Sequence, residues 1–383
     1  MSARRLRVLE MIDKPFLGGG QVHVLTLAGS LRKDAFDVSV AAGAGGPLET
    51  EAVRAGLGFV PVEMSKSLSP RPVRDVAAVL RELNVDMLHT HGGVAGLFGR
   101  RAARRAGTPV IVHTLHGIHY LHYRNPVVRA VFVFLERRLA ARTDAVIVVS
   151  DADAAAAKRR GLAPADKVRV IRNGIAALPA EKSAAERAAA SALRKAVSPD
   201  GPLVATVARL HRQKGIVHLL RAAPAILARV PAATIAVAGG GPLEDALRRE
   251  AKRLGVDRRF LLLGERADAA DLAALADVFV LPSLWEGLPL ALLEAAALGR
   301  AIVASDIDGV REVVRDGETA ILVPPGRPGA LAEAVVRLLD DRELAARLGS
   351  RARSEVPGRF TLSAMIDAVE RLYLELAASK GVS

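Results

Sequence analysis

Short runs of apolar and β-branched residues recur along the chain, with stretches of helical periodicity between them. The first seven are LRVLEMI (6–12), DVSVAA (37–42), GFVPVEM (58–64), VDMLHTH (85–91), PVIVHTLH (109–116), AVIVVS (145–150) and VRVIRNG (168–174). The alternation breaks at 176–201, AALPAEKSAAERAAASALRKAVSPDG, an Ala-rich charged helix bracketed by prolines. It resumes with PLVATVAR (202–209), ATIAVAG (233–239), FLLLG (260–264), VFVLPS (278–283), AIVASD (301–306) and AILVPP (320–325). Runs so nearly continuous in apolar residues bury both faces, as parallel strands covered by helices do. Two series of strand–helix alternation predict two doubly wound, Rossmann-like α/β domains, over 1–175 and 176–359. The tail FTLSAMIDAVERLYLELAA (360–378) has apolar residues at helical spacing and predicts a closing amphipathic helix within 360–383. Ligands of such sheets bind at the carboxyl ends of the strands, and with two domains a cleft between them is the expected site.

Composition narrows this picture. A chain of 383 residues, 51% hydrophobic and 25% charged, suits two globular domains. Without cysteine there is neither a disulfide framework nor a thiolate zinc site, which suits a reducing cytoplasm. The start, MSARRLRVLEMI, is too short and too charged to read as a signal peptide. No stretch of about 20 apolar residues appears. The nearest candidate, 126–142 (PVVRAVFVFLERRLAAR), is interrupted by Arg129, Glu136, Arg137 and Arg138. The net charge of +13 gathers partly in the first half, at Arg100, Arg101, Arg104 and Arg105, in 129–142 and at 158–160. Such a face suits an anionic membrane, phosphorylated substrates or nucleic acid, or is simply an Arg-rich solvated surface. At 3% aromatic residues, with no stacking pattern in the basic clusters, nucleic acid is not expected.

The candidate chemistry lies where strands end. In LWEGLPLALLEAAALG (284–299) two carboxylates, Glu286 and Glu294, flank an apolar segment. Glu286 falls in the strand-to-helix loop, Pro289 suits the first helical position, and Glu294 lies inside the helix. Backbone N–H groups around Gly287, Leu288 and Leu290 would form an anion cradle flanked by acceptors for hydroxyl groups. In VARLHRQKG (207–215), Arg209 and Lys214 follow a strand end, where two cations can meet a diphosphate. The run FLGGGQVH (16–23) lets the backbone approach a ligand closely, but it is neither the dinucleotide fingerprint nor a P-loop, and a plain tight turn remains an alternative. Histidines 89, 91, 113, 116 and 119 cluster at two strand ends; buried neutral histidine is the expected state and no metal site is expected. The two D-x-D sequences, 151–153 and 306–308, read as a helix cap and a loop, not as metal ligands.

These elements, in this order, resemble the retaining glycosyltransferases of the GT-B fold, family 4. The likeness covers nearly the whole chain and is strongest over VARLHRQKG, AGGGPLEDALRREA (238–251), FLLLGERAD and 277–314, with EGLP inside an E-x7-E spacing. The resemblance implies that Arg209 and Lys214 hold a donor diphosphate and that Glu294 binds the ribose hydroxyls. It gives Glu286 the transferred sugar, with Gly287, Leu288, Pro289 and Leu290 beside the phosphates. It sets Gly19 and Gly20 on the phosphates, His116 next to the donor sugar, and the base against Gly264 to Arg266. Where the family often has two glycines, this chain has Asp308–Gly309, an acid that disfavours a phosphate unless it points away.

The expected function is therefore metal-independent, retaining transfer of a sugar from a nucleotide diphosphate sugar, uridine or guanosine, to an acceptor hydroxyl in cell-surface polysaccharide or glycolipid synthesis, with no cofactor. The segment 126–142 also resembles that of polysaccharide-assembly enzymes. It could rest on the inner face of a membrane and meet a lipid-linked or saccharide acceptor, or be a core helix with an Arg-rich outer side. A sugar-nucleotide epimerase of the same fold and a non-catalytic basic binder are the alternatives.

Overall fold

A computed structural model describes residues 4–64, 71–177 and 183–382, so part of the expected linker, 178–182, lies outside the described residues. The chain divides into two compact units, Met1–Asn173 with Leu362–Ser383, and Gly174–Thr361.

The first unit holds seven strands, β1 (Leu6–Ile12), β2 (Phe36–Ala42), β3 (Gly58–Pro61), β4 (Met87–His91), β5 (Val110–Leu115), β6 (Ala145–Val148) and β7 (Val168–Val170). All pair in parallel, in the order β3-β2-β1-β4-β5-β6-β7. The second unit holds β8 (Leu203–Val207), β9 (Thr234–Ala238), β10 (Phe260–Leu262), β11 (Val278–Leu281), β12 (Ala301–Ser305) and β13 (Ile321–Val323). These too are parallel, in the order β10-β9-β8-β11-β12-β13. Each sheet starts in its middle and reverses direction once, between β1 and β4 and between β8 and β11. Loops leaving those strand pairs turn to opposite faces, so a crevice opens at the carboxyl ends there.

Burial explains the apolar runs. Along β8, Val204 packs with Leu219, Leu220, Ile226 and Val335 on one face. Its neighbours Leu203 and Ala205 pack with Val197, Leu272 and Ala276 on the other. Val197 ends the helix Ala184–Val197, the Ala-rich helix of the expected linker, which opens on a Ser183–Glu186 capping box and belongs to the second unit.

The last helix, Leu362–Ser379, covers the first sheet. Met365, Val369, Leu372 and Tyr373 pack with Leu6, Val8 and Val112, and the Arg32 backbone N and Nε each donate to Glu370 at 2.8 Å. Also in the first unit, Arg100 donates through both terminal nitrogens to Glu136, at 2.8 Å each, joining the helix Gly93–Ala106 to the helix Pro126–Ala140. That pair buries Glu136, while Arg137 and Arg138 of the same helix face solvent. Val127 (69%), Val131 (49%) and Phe134 (54%) are exposed as well, so the outer side of this helix is apolar as well as Arg-rich.

Candidate active site

In the second unit Arg209, Lys214 and Glu286 lie on the loops that leave β8 and β11, at the sheet reversal, while Gly264 to Arg266 follow β10. Arg209 lies two residues past β8, half-buried, and Lys214 ends the short turn Arg212–Lys214. Gly215 follows with φ of +64°, and a Cβ there would sit 2.0 Å from the Pro282 carbonyl oxygen, so the two loops touch at backbone distance. The Leu284 N–H donates to the Gln213 carbonyl at 2.7 Å, and Gln213 Nε2 donates to the Trp285 carbonyl at 3.0 Å. This stitching brings Lys214 Nζ to 2.5 Å from Glu286 Oε1. Ser283 Oγ donates to the same oxygen at 2.7 Å, and Gln213 Nε2 reaches Oε2 at 3.3 Å. The Glu286 side chain is 6% exposed and that of Lys214 21%, so the carboxylate is held on both oxygens in a mostly dry place.

The rest of the segment follows from its helix. Pro289 takes the N-cap of Leu290–Ala297, one residue earlier than expected, and no side chain caps that terminus. Gly287, Leu288 and Pro289 are buried. Glu294 is half-buried, and its carboxyl makes no hydrogen bond or ion pair among the described residues; burial pushes its pKa above the ordinary value. A short helix, Asp308–Arg311, packs onto the loop: a Cβ on Gly309 would lie 2.1 Å from the Gly287 carbonyl oxygen. The neighbouring acid faces solvent. Asp308 is 73% exposed in its side chain and accepts from Arg311 at 3.3 Å. Gly264 sits at φ +72° and its carbonyl accepts from the Gly239 N–H at 2.7 Å. The Arg266 guanidinium is committed to Asp268 through two bonds, at 2.6 and 2.7 Å.

In the first unit the glycine run is not a free loop. Gly19 and Gly20 open the helix Gly19–Ser30, with Gly18 at the N-cap. A Cβ on Gly20 would come within 3.3 Å of Ile12 Cδ1, so glycine lets this helix start tight against β1. Beside it, His116 Nε2 lies 3.0 Å from His91 Nδ1, with the rings stacked at 5.2 Å. His23 meets His116 edge-on at 4.6 Å. His91 Nε2 reaches Glu10 Oε2 at 2.7 Å, and Tyr373 donates to Glu10 Oε1 at 2.6 Å. His89 Nδ1 lies 3.1 Å from the same carboxylate. Burial alone would raise the Glu10 carboxyl, but His89 and His91 outweigh it and hold it well below the usual range. Burial and neighbouring histidines lower His91 to about 4 and His23 to about 3, and push His116 and His113 well below the ordinary value. Two groupings bring three donor atoms within 4.8 Å of one another, His23–His91–His116 and Glu10–His89–His91. In both, the His91 nitrogens are already engaged, by Glu10 and by His116.

Sequence reasoning missed Glu10, Gln213, Ser283 and Tyr373. The signal for Glu10 was present, an acid inside the apolar run LRVLEMI. Gln213 and Ser283 flank marked residues without any spacing of their own, and Tyr373 lies 363 residues from Glu10.

Comparison with known proteins follows the same division. Residues 17–177 match the family model described as Glycosyltransferase Family 4, and residues 201–341 that described as Glycosyl transferases group 1. The chain is 31% identical over 375 residues to the phosphatidyl-myo-inositol mannosyltransferase of Mycolicibacterium smegmatis, spanning 95% of this chain and 92% of that one. It is 28% identical over 387 residues to the UDP-Gal:alpha-D-GlcNAc-diphosphoundecaprenol alpha-1,3-galactosyltransferase of Escherichia coli, 98% of each. Among solved structures, HepE of Anabaena in complex with UDP and glucose is similar with a TM-score of 0.84 and 22% identity, over 97% of this chain and 100% of that one, a likeness of fold.

The histidine cluster sets an acid limit to stability. Unfolded histidine takes a proton near pH 6.5, whereas His91 and His23 do so near 4 and 3 when folded. The folded state is therefore fully favoured above about pH 6.5 and loses stability as pH falls towards 4, by about 1.4 kcal/mol per pH unit for each such group. Glu10, held low by its partners, adds to the loss below its ordinary value, in the same direction. Urea unfolding between pH 7 and 4.5 should show a steady drop in midpoint; a flat profile contradicts the neutral, buried cluster.

Proposed function

Because this chain belongs to glycosyltransferase family 4, we propose that it moves a sugar from a nucleoside diphosphate to an acceptor hydroxyl, with retention of configuration and without need of a metal ion. The GT-B fold and glycosyl transfer in glycan or glycolipid synthesis follow from that membership. Donor, stereochemistry and residue roles rest on the chemistry of the site.

The observation that carries the proposal is the direct contact of Lys214 with Glu286 at the β8/β11 reversal, with Arg209 on the same strand end. In the reaction the bond from the sugar C1 to the diphosphate oxygen breaks and its electron pair leaves with the phosphate. The acceptor oxygen forms the new bond to C1 and gives its proton to the departing diphosphate. Charge grows on the leaving group, so Arg209, Lys214 and the backbone N–H groups of Gly287, Leu288 and Leu290 lower the barrier by being in place beforehand. That positive charge makes a metal ion unnecessary. Glu286 accepts from hydroxyls of the transferred sugar. Glu294, whose carboxyl has no protein partner among the described residues, accepts from the ribose. The base lies against the backbone of Gly264 to Arg266, because the Arg266 guanidinium is taken by Asp268. In the first unit, Gly19 and Gly20 open a helix whose first N–H groups suit a phosphate, and the half-buried His116, whose Nε2 is engaged with His91, offers its other nitrogen to a sugar hydroxyl.

The name of the Escherichia coli relative and the ligands of HepE support a uridine nucleotide. The names of the two relatives, acting on GlcNAc-diphosphoundecaprenol and on phosphatidyl-myo-inositol, support a lipid-linked or saccharide acceptor. A lipid-linked acceptor calls for a membrane-facing surface at the cytoplasmic side. No helix among the described residues is long and apolar enough to cross a membrane. The helix Pro126–Ala140 instead presents Val127, Val131 and Phe134 to solvent. Beside Phe134 lies a cavity of about 510 Å³ lined by Arg101, Arg104, Arg105, Arg138 and Arg142. None of these five makes an ion pair among the described residues, which suits anionic headgroups with shallow apolar insertion.

Lys214→Ala and Glu286→Ala should each lower kcat by about a hundredfold or more, measured as acceptor-dependent release of nucleoside diphosphate. Wild-type rates in both variants would refute the assignment, and donor interconversion without acceptor would point to an epimerase. In flotation assays the protein should bind phosphatidylglycerol vesicles and not phosphatidylcholine ones. The double change Phe134→Ala, Arg138→Ala should weaken that binding by about tenfold, at roughly 1 kcal/mol per basic residue plus the apolar contact. Equal binding to both lipids, or an unchanged double variant, contradicts the membrane face.

A further inference from the structure

Glu10 has no part in the roles assigned above, yet it is wholly buried in β1, next to the strand reversal of the first sheet. An ionised carboxylate in such a place is tolerated only with donors on its oxygens. It has them: Tyr373 at 2.6 Å on Oε1, and His91 Nε2 at 2.7 Å on Oε2.

These contacts assign the hydrogens. An ionised carboxylate only accepts, so His91 must carry a hydrogen on Nε2. His91 is neutral at pH 7, with its pKa lowered to about 4 by burial, and so it carries no second one. Its Nδ1 is therefore a bare acceptor, and His116 Nε2, 3.0 Å away, must be the donor. A neutral His116 with its hydrogen on Nε2 has a bare Nδ1. That atom makes no hydrogen bond among the described residues, and the ring is only half-buried. The stacked His91 and the edge-on His23 restrain the ring from turning.

We propose that Glu10 and His91 are positioning residues that fix His116 in its Nε2–H tautomer, so that the ring presents an unprotonated Nδ1 to a hydroxyl of the transferred sugar. This rests on the assignment of His116 to the sugar. It deepens that assignment in one respect: a bare nitrogen accepts from a hydroxyl but repels a phosphate oxygen, so the atom selects sugar over diphosphate. Glu10 acts only through His91, and its charge supplies the preference. A neutral amide in its place can donate as readily as accept, so the preference for one tautomer collapses.

The test is ring ¹⁵N NMR on the full-length protein with labelled histidine, with His116 assigned by the signals lost in His116→Ala. In the wild type, Nδ1 should resonate as the unprotonated nitrogen and Nε2 as the protonated one. Glu10→Gln should shift His116 Nδ1 towards the protonated type and lower kcat by about tenfold or more, as expected when a catalytic-site histidine takes the wrong tautomer. A purely structural role for Glu10 would lower the melting temperature and leave the His116 signals and kcat where they were, which overturns the proposal. So does a wild-type His116 with protonated Nδ1, a measurement that needs no variant to fold. His116→Ala with undiminished turnover would instead sink the sugar-binding role of His116, and the ¹⁵N shifts would still report whether Glu10 and His91 set its tautomer.

Discussion

The contact between Lys214 and Glu286 is the constraint on which the second unit is built. A carboxylate 6% exposed needs partners on both oxygens, and here they come from two loops that leave neighbouring strands, β8 and β11. Removing one partner from so dry a pair leaves an uncompensated charge, a loss of about 3–5 kcal/mol. The backbone is shaped to allow the contact: Gly215 and Gly309 stand where any side chain would strike a carbonyl oxygen of the facing loop. The same geometry makes the place chemically useful. A cation that satisfies a carboxylate at the end of a parallel sheet, beside the uncapped terminus of Leu290–Ala297, can equally satisfy a phosphate.

The first unit repeats the device with different residues. Its sheet reverses between β1 and β4, and there too a buried acid, Glu10, is held by side chains from other elements, His91 on β4 and Tyr373 on the last helix. The last helix therefore does two things, sealing the first sheet with Met365, Val369 and Leu372 and supplying a hydroxyl to the acid beneath. In both units the charged groups sit on rigid strands or on loops pinned by backbone bonds, which is how a site stays in register without its ligand's help.

Much of this was legible in the residues. Runs such as VFVLPS and AIVASD read as strands because parallel strands need apolar side chains on both faces, and Arg209, Lys214 and Glu286 lie in the loops after strand ends where the sequence put them, with Glu294 inside the helix that follows. Less could be read where an outcome depends on long-range packing. Helical periodicity in 360–378 shows an amphipathic helix but not which sheet it covers. The glycine run at 18–20 reads as a loop until Ile12 is seen close against Gly20, and only then as the start of a helix. Arg266 looked available for a ligand because nothing in one dimension says that Asp268 turns back onto it. Asp308 looked like an obstacle to phosphate and proves to face solvent, beside Arg311.

The central claim is that Lys214 holds the diphosphate of the donor. Isothermal titration of UDP and GDP, with the matching monophosphates as controls, into the wild-type and Lys214→Ala proteins tests it most directly. A charge-assisted contact is worth about 1.5–3 kcal/mol, so the variant should bind the preferred diphosphate at least about tenfold more weakly and the monophosphate nearly as well as before. Equal diphosphate affinity in the two proteins would contradict the account.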